Sequence, residues 1–163
     1  MASMSGFTCQ NLSPDLVNTV YPLVREVIPT LDLKTWTRIA KRMANPRRAD
    51  QAGIRVVMRR SRQLPCGLFV YRREQDLARG PILVAEHMVA VDVLDPQSVM
   101  SALVSELEAL AERLGCCATR TMVLGQASLA ASGLYAAGHR PEGATLWKPI
   151  EEAPAPGKAC GVG

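Results

Sequence analysis

The longest apolar run of the sequence, residues 82–94, is interrupted by three side chains that can carry charge or exchange protons: Glu86, His87 and Asp92. A carboxylate or an imidazole held in an apolar strand is a candidate for proton transfer. The competing interpretation is structural, with Glu86 in a salt bridge, His87 packed, and Asp92 bonded to neighbouring backbone or to an arginine. The residues alone leave both interpretations open.

The five cysteines form an odd set with no C-x-x-C spacing and no histidine pair beside them: Cys9, Cys66, Cys116, Cys117 and Cys160. Structural zinc sites need four closely spaced Cys or His ligands, so the sequence predicts no metal site. Free thiols commonly pack as small apolar side chains. We therefore interpret the cysteines as structural and not as catalytic.

Positive charge is concentrated in the first half of the chain. Residues 1–80 contain 14 Lys and Arg against 6 Asp and Glu, whereas residues 81–163 contain 5 against 9. An arginine-rich surface of this kind attracts anions in general. Aromatic side chains for base stacking make up only 4% of the residues, so the composition argues against a nucleic-acid partner.

Length and composition predict one domain. A chain of 163 residues, 48% of them hydrophobic and 21% charged, can bury one core. We assign residues 1–150 to this domain and residues 151–163, rich in Pro, Gly and Ala, to a disordered tail. The longest apolar run is shorter than the ~20 residues of a membrane span, and the first residues lack the features of a secretion signal. The sequence thus predicts a cytoplasmic protein without a membrane partner.

Residues 95–115 carry the clearest pattern, that of one complete amphipathic helix. Asp95 can cap its first turn, Pro96 suits the first helical position, and Gly115 can adopt the left-handed conformation that ends a helix. Apolar residues recur between these ends at three- and four-residue steps. This helix lies between two apolar runs, which it would connect as a parallel pair of strands.

The remaining periodic segments complete an order of β-α-α-β-β-β-α-β-α-β. The predicted strands are residues 7–12, 54–60, 66–73, 82–94, 118–124 and 144–150. The predicted helices are residues 13–29, interrupted near Pro22, and residues 32–45, 95–115 and 127–137. Alternation along the central strand places Glu86 on the same face as Met88 and Ala90 if the strand has no bulge. The order predicts an α/β (α+β) fold with a mixed central sheet flanked by helices.

This order, together with the segment SGLYAAGHRPEGATLWKPI, resembles the GNAT superfamily of N-acetyltransferases. Chains of that family end with a tyrosine-bearing helix, a glycine-aromatic turn and a closing strand, and the resemblance spans residues 7–150. It implies transfer of an acetyl group from acetyl-CoA to the amine of a small molecule or a protein, without a metal, and it allows a homodimer. The acetyl-CoA would lie in a V-shaped opening between the central strand and the next one.

The resemblance also implies that the diphosphate of acetyl-CoA would bind to the amides that begin the helix after the central strand. The family's loop reads Q/R-x-x-G-x-G/A, and the matching residues here are DPQSVM, beginning at Asp95. Gln97, Ser98 and Ser101 are the polar groups nearest to a bound cofactor. Ser98 and Met100 replace both glycines, so the loop is degenerate. Two interpretations stay open: an altered acetyl-CoA site, or a GNAT-fold protein that no longer binds CoA and acts as a non-catalytic interaction or ligand-sensing module.

Acetyl transfer in this family requires a base, donors to the thioester carbonyl and an acid. By resemblance, Glu86 is the candidate base and Tyr135 the candidate acid. The backbone N–H groups of Val91 and Val93 would lie near the pantetheine and polarise the carbonyl. The turn glycine follows Tyr135 one residue sooner than in the family pattern, so Leu134 could take the inward position instead.

Overall fold

The computed structural model describes residues 6–123 and 128–149. In this part of the chain the elements are β1 Phe7–Asn11, α1 Tyr21–Val27, α2 Leu33–Met43, β2 Ala52–Arg59, β3 Leu64–Asp76, β4 Gly80–Ala90, α3 Pro96–Arg113, β5 Ala118–Thr121 and α4 Leu129–Ala136. Short 3₁₀ turns at Pro14–Leu16 and Pro46–Arg48 precede α1 and β2. The predicted tail, residues 151–163, and the predicted helix start at Ala127 lie outside the described residues.

The strands form one mixed sheet in the order β1-β2-β3-β4-β5. The first four are antiparallel neighbours, and β5 pairs with β4 in parallel. A parallel pair requires a crossover connection, and α3 supplies it. The predicted mixed α/β fold and the predicted strand pair around this helix are therefore confirmed.

Helices cover both faces of the sheet. α3 and α4 pack on one face, where Val99, Leu103 and Leu107 are fully buried. α1 and α2 pack on the other face, where the buried indole of Trp36 donates its Nε1–H to the carbonyl of Val17 at 2.6 Å. The central strands are apolar on both sides because each side packs against a helical layer.

Local hydrogen bonds define both ends of α3, as the sequence predicts. The carboxylate of Asp95 accepts a hydrogen bond of 3.0 Å from the backbone N–H of Ser98. Gly115 has a φ of +65°, which places it in the left-handed region. The N–H of Cys116 donates to the carbonyl of Ala111 at 2.9 Å, the pattern of a Schellman C-cap.

Pro22 interrupts the first predicted helix as expected. Residues Pro14–Leu16 form a 3₁₀ turn, and α1 begins only at Tyr21, with Pro22 in its first turn. Proline is tolerated there because the first N–H groups of a helix have no partner within it.

The last predicted strand is wrong in its described part. Residues 144–149 contain no strand, and the side chains of Leu146 and Trp147 are both exposed. A strand is held in register when one of its faces is buried. Because this segment buries neither of its large apolar side chains, its alternating pattern is not enough to add it to the sheet.

Candidate active site

Strand β5 pairs with only the first half of β4. Their parallel pairing runs from Ile82 opposite Ala118 to Ala85 opposite Thr121, and the N–H of Met122 then donates to the carbonyl of Ala85 at 3.0 Å. β4 continues to Ala90. The last residues of β4 therefore have no described strand on the β5 side.

A β-bulge at His87 changes the direction of the side chains that follow. The β3–β4 register shifts at this point, from Val70 opposite Glu86 to Leu68 opposite Val89, and His87 has a φ of +53°. Ala85 and Met88 consequently both pack against α3. Glu86 faces the opposite side of the sheet, so the prediction that Glu86 shares a face with Met88 and Ala90 is wrong, because the strand is bulged.

A cavity of about 250 Å³ lies at this bulge, and we call it the bulge cavity. It is lined by residues 86–90 of β4, by residues 122–123 and 128–130, and by Val27 and Met100. The lining is mostly apolar, with Glu86, His87 and Ser128 as its polar side chains. An opening of this chemistry suits a slender, mostly apolar ligand with one or two polar groups.

Glu86 lines the bulge cavity and is also held in an ion pair. Its Oε2 lies 3.0 Å from Nη1 of Arg72 on β3, and the Glu86 side chain is 22% exposed. Arg72 also binds Glu74 on its own strand. The structure therefore supports the salt-bridge interpretation of Glu86 and places the same carboxylate where a ligand could reach it.

Asp92 is bonded to backbone and to an arginine, as the structural interpretation predicts. Its Oδ1 accepts hydrogen bonds from the N–H groups of Leu94 and Asp95, each 2.9 Å long. Its Oδ2 accepts from the guanidinium of Arg59, with an Nε distance of 3.0 Å. The hydrogen bond from the backbone of Asp95, followed by those from Arg59 and Leu94, lowers the pKa of Asp92 to about 2.

Two carboxylates thus occupy the amides at the start of α3. Those of Leu94 and Asp95 donate to Asp92, and that of Ser98 donates to Asp95. The predicted self-capped helix start is confirmed in these contacts. Gln97, Ser98 and Ser101 have exposed side chains beside it.

The backbone positions predicted to meet a thioester carbonyl lie just beyond the bulge cavity. The N–H of Val91 donates to the carbonyl of Cys66 in β3 at 2.7 Å, and the side chain of Val93 is 97% exposed. N–H groups alternate in direction along a strand, so the N–H of Ala90 faces the β5 side. Ala90 also lines the bulge cavity, so its amide is a candidate donor to a thioester carbonyl.

Tyr135 lies outside the bulge cavity. The side chain of Leu134 is buried in the α3 core, while Tyr135 is 50% exposed. Tyr135 lines a larger open cleft, of about 1070 Å³, between β5 and the segment that follows α4. The cleft and the bulge cavity meet at Met122 and Val123, which line both. Glu86 and Tyr135 therefore belong to adjoining spaces and not to one.

Sequence reasoning missed the bulge and the apolar residues that close the cavity from the β5 side. Histidine is one of the few residue types enriched at positive φ, but no spacing in the sequence marks His87. Met122 and Leu129 are ordinary apolar residues whose place depends on the separation of β4 and β5. The Arg59–Asp92 pair likewise has no local signal, because 33 positions separate its members.

Two of the described cysteines are buried or partly buried thiols. Burial raises the pKa of the Cys9 thiol to about 12 and raises that of Cys66 above its ordinary value, which disfavours the reactive thiolate. No group of three or more His, Cys, Asp or Glu residues is placed to hold a metal ion in residues 6–123 and 128–149. None of the helices in these ranges is long and apolar enough to cross a bilayer.

Solved structures similar to this chain include several N-acetyltransferases. Glucosamine-6-phosphate N-acetyltransferase from Arabidopsis thaliana superimposes with a TM-score of 0.70 at 13% identity, covering 89% of this chain and 99% of that one. An aminoglycoside N-acetyltransferase in complex with CoA gives 0.73 at 11% identity, covering 88% and 95%. Aminoglycoside 6′-N-acetyltransferase from Acinetobacter baumannii gives 0.71 at 12% identity, covering 90% and 100%. Neither a protein-family model nor a curated protein sequence matches this chain.

The strand order and the superpositions define the class of fold. The chain has the fold of the GNAT N-acetyltransferases over most of its length. At identities of 10–14% the likeness is one of fold, and the resemblance noted from the sequence is confirmed at that level.

Proposed function

We propose that this protein is an N-acetyltransferase that moves an acetyl group from acetyl-CoA to a primary amine. The observation that carries the proposal is the bulge cavity at the separated ends of β4 and β5, with Glu86 in its wall. The fold likeness adds support, because one similar structure holds CoA and two are named as acting on aminoglycosides. A small-molecule amine is accordingly the acceptor class we favour over a protein amine.

We assign the steps of direct acetyl transfer to residues of the bulge cavity. The carboxylate of Glu86 takes a proton from the acceptor ammonium, directly or through water, and the neutral amine attacks the acetyl carbonyl carbon. The N–H of Ala90, on the open side of β4, stabilises the negative charge that develops on the carbonyl oxygen. The C–S bond then breaks, the nitrogen of the new amide releases its extra proton to solvent, and the leaving thiolate takes a proton to become the free thiol of CoA.

Tyr135 is our proposed source of that last proton. Its phenol lines the cleft that adjoins the bulge cavity at Met122 and Val123. Because Leu134 is the residue packed in the core, a test has to distinguish a hydroxyl that donates a proton from a ring that only covers the cleft.

Titration with acetyl-CoA tests the proposal. A ligand present at 100 times its Kd stabilises the native state by about 2.7 kcal/mol, which a thermal melt detects readily. We expect a shift of the melting temperature with acetyl-CoA, and product formation with a panel of small amines. Absence of both heat of binding and thermal shift at millimolar acetyl-CoA would reject the enzyme.

A second candidate function is favoured by the start of α3. Asp92 and Asp95 already accept hydrogen bonds from the amides of Leu94, Asp95 and Ser98, which suits a GNAT-fold protein that binds no CoA and serves as a non-catalytic interaction or ligand-sensing module. The same titration separates the two functions. A homodimer and a cytoplasmic location remain predictions, and light scattering would test the first.

A further inference from the structure

Asp92 sits where an anion would bind at the start of α3. Its carboxylate receives two backbone N–H groups and a guanidinium, which is the donor set that proteins use for phosphate groups. The side chain is only 12% exposed, and the Arg59 guanidinium that holds it lies 5.2 Å from the centroid of the Phe7 ring. These donors, the amides of Leu94 and Asp95 and the guanidinium of Arg59, form an anion-binding position that we call the seat. The protein's own carboxylate fills it.

The bulge cavity does not depend on this seat. Its lining comes from β4, from residues 122–123 and 128–130, and from Val27 and Met100; none of the loop residues Val91–Asp95 contributes to it. The cavity at β4 is thus open to a thioester arm while the amides of Leu94, Asp95 and Ser98 are already bonded to carboxylates of the protein. Asp95 adds another negative charge beside Asp92, which further disfavours a diphosphate there.

We infer that Asp92 is a specificity-determining residue: it excludes the diphosphate of CoA from the start of α3, so the acetyl donor is recognised through its acetyl-pantetheine arm alone. This inference rests on the proposed function for the identity of the donor. The substrate class it assigns is an acyl-pantetheine thioester, with or without a nucleotide attached.

Binding of inorganic diphosphate tests the exclusion without any need for activity. We expect the wild-type protein to show no binding at 1 mM diphosphate in low salt. The double variant, Asp92→Gly with Asp95→Ser, should bind diphosphate with a Kd at least tenfold below that concentration. Serine at position 95 retains the helix cap, so the double substitution frees the amides of Leu94 and Asp95 together with Arg59. Asp95→Ser alone is the matched control and should not bind, because Asp92 still fills the seat.

Either of two results overturns the inference: diphosphate binding by the wild type at the level of the double variant, or no gain in a double variant whose circular dichroism and melting show a native fold. If Asp92→Gly prevents folding, Asp92→Ser with Asp95→Ser serves in its place.

Donor selectivity supplies a second measurement. The wild type should use acetyl-CoA and acetyl-pantetheine with kcat/KM values within threefold of each other, and a tenfold or greater preference for acetyl-CoA contradicts the inference. Failure of the proposed function would show differently, as no binding and no transfer with either donor. In that case the diphosphate titration still decides whether Asp92 closes the seat.

Discussion

Nη1 of Arg72 lies 3.0 Å from Oε2 of Glu86, across the ladder that joins β3 to β4. Arg72 binds a second carboxylate, that of Glu74, which does not line the bulge cavity. One guanidinium thus holds two carboxylates, and only one of them faces the space where we place the acetyl donor. This arrangement provides a matched pair of substitutions.

Glu86→Gln should lower kcat by about 10²-fold or more, the usual contribution of a positioned general base, while leaving the affinity for acetyl-CoA nearly unchanged. Steady-state transfer to an amine acceptor and calorimetric titration measure the two quantities. Glu74→Gln should leave both unchanged, because it removes a partner of Arg72 but no group of the cavity. Equal turnover in Glu86→Gln and wild type would reject the role of Glu86.

Tyr135→Phe should lower kcat by roughly 10²-fold if the phenol reprotonates the thiolate, because the ring is retained and only the hydroxyl is lost. Binding of acetyl-CoA should not change. The substitution is structurally mild, since the side chain is half exposed and Leu134 fills the core position. Unaltered turnover would identify Tyr135 as a residue that covers the cleft.

Asp92 should make the stability of the protein depend on acid pH. Its pKa falls from an ordinary value of 3.8 to about 2 in the folded state, so the fold favours the charged carboxylate. The stabilisation is complete above about pH 4 and is lost as the pH falls toward 2. Urea unfolding at pH 5, 4, 3 and 2 should show a steeper loss for the wild type than for Asp92→Asn, and parallel curves would contradict this assignment.

Because the backbone at His87 is left-handed, substitution of this residue by valine and by glycine should have different effects on the free energy of unfolding. Valine at this position is β-branched and should lower the free energy of unfolding by about 1–2 kcal/mol, the cost of the left-handed region for such a residue. Glycine adopts this conformation freely, so His87→Gly should unfold at an equal or higher denaturant concentration. Equal destabilisation by both would show that His87 stabilises the fold through its side chain.

Glu106 is the one charged residue among the buried residues of the described ranges. Replacing it without also replacing its partner should lower the free energy of unfolding. Its Oε1 lies 2.6 Å from Nη2 of Arg55, whose side chain is 11% exposed, and 2.7 Å from Nη2 of Arg113. Glu106→Leu leaves the guanidinium of Arg55 buried without its carboxylate, at a cost of about 3–5 kcal/mol. Arg55→Met with Glu106→Leu should cost less than the single change, as chemical denaturation would show.

Features that depend on a few neighbouring residues could be predicted from the sequence. The ends of α3 are of this kind, since Asp95 bonds an amide three residues away and Gly115 supplies the turn that the last carbonyls need. The interruption at Pro22 and the parallel strands around α3 follow from equally local rules. The sequence by itself therefore determined the order of elements as far as α4 and, through that order, the class of fold.

The tertiary structure decided what the site contains. The bulge at His87 places Glu86 on the face opposite to that of Met88, and the Arg59–Asp92 and Arg72–Glu86 pairs join residues of different segments that no spacing connects. Leu134 and not Tyr135 packs against α3, because the rotation of α4 is set by its contact with that helix. Capping is a local balance of hydrogen bonds, whereas the direction of a side chain in the assembled sheet depends on registers and packing that exist only once distant segments have met.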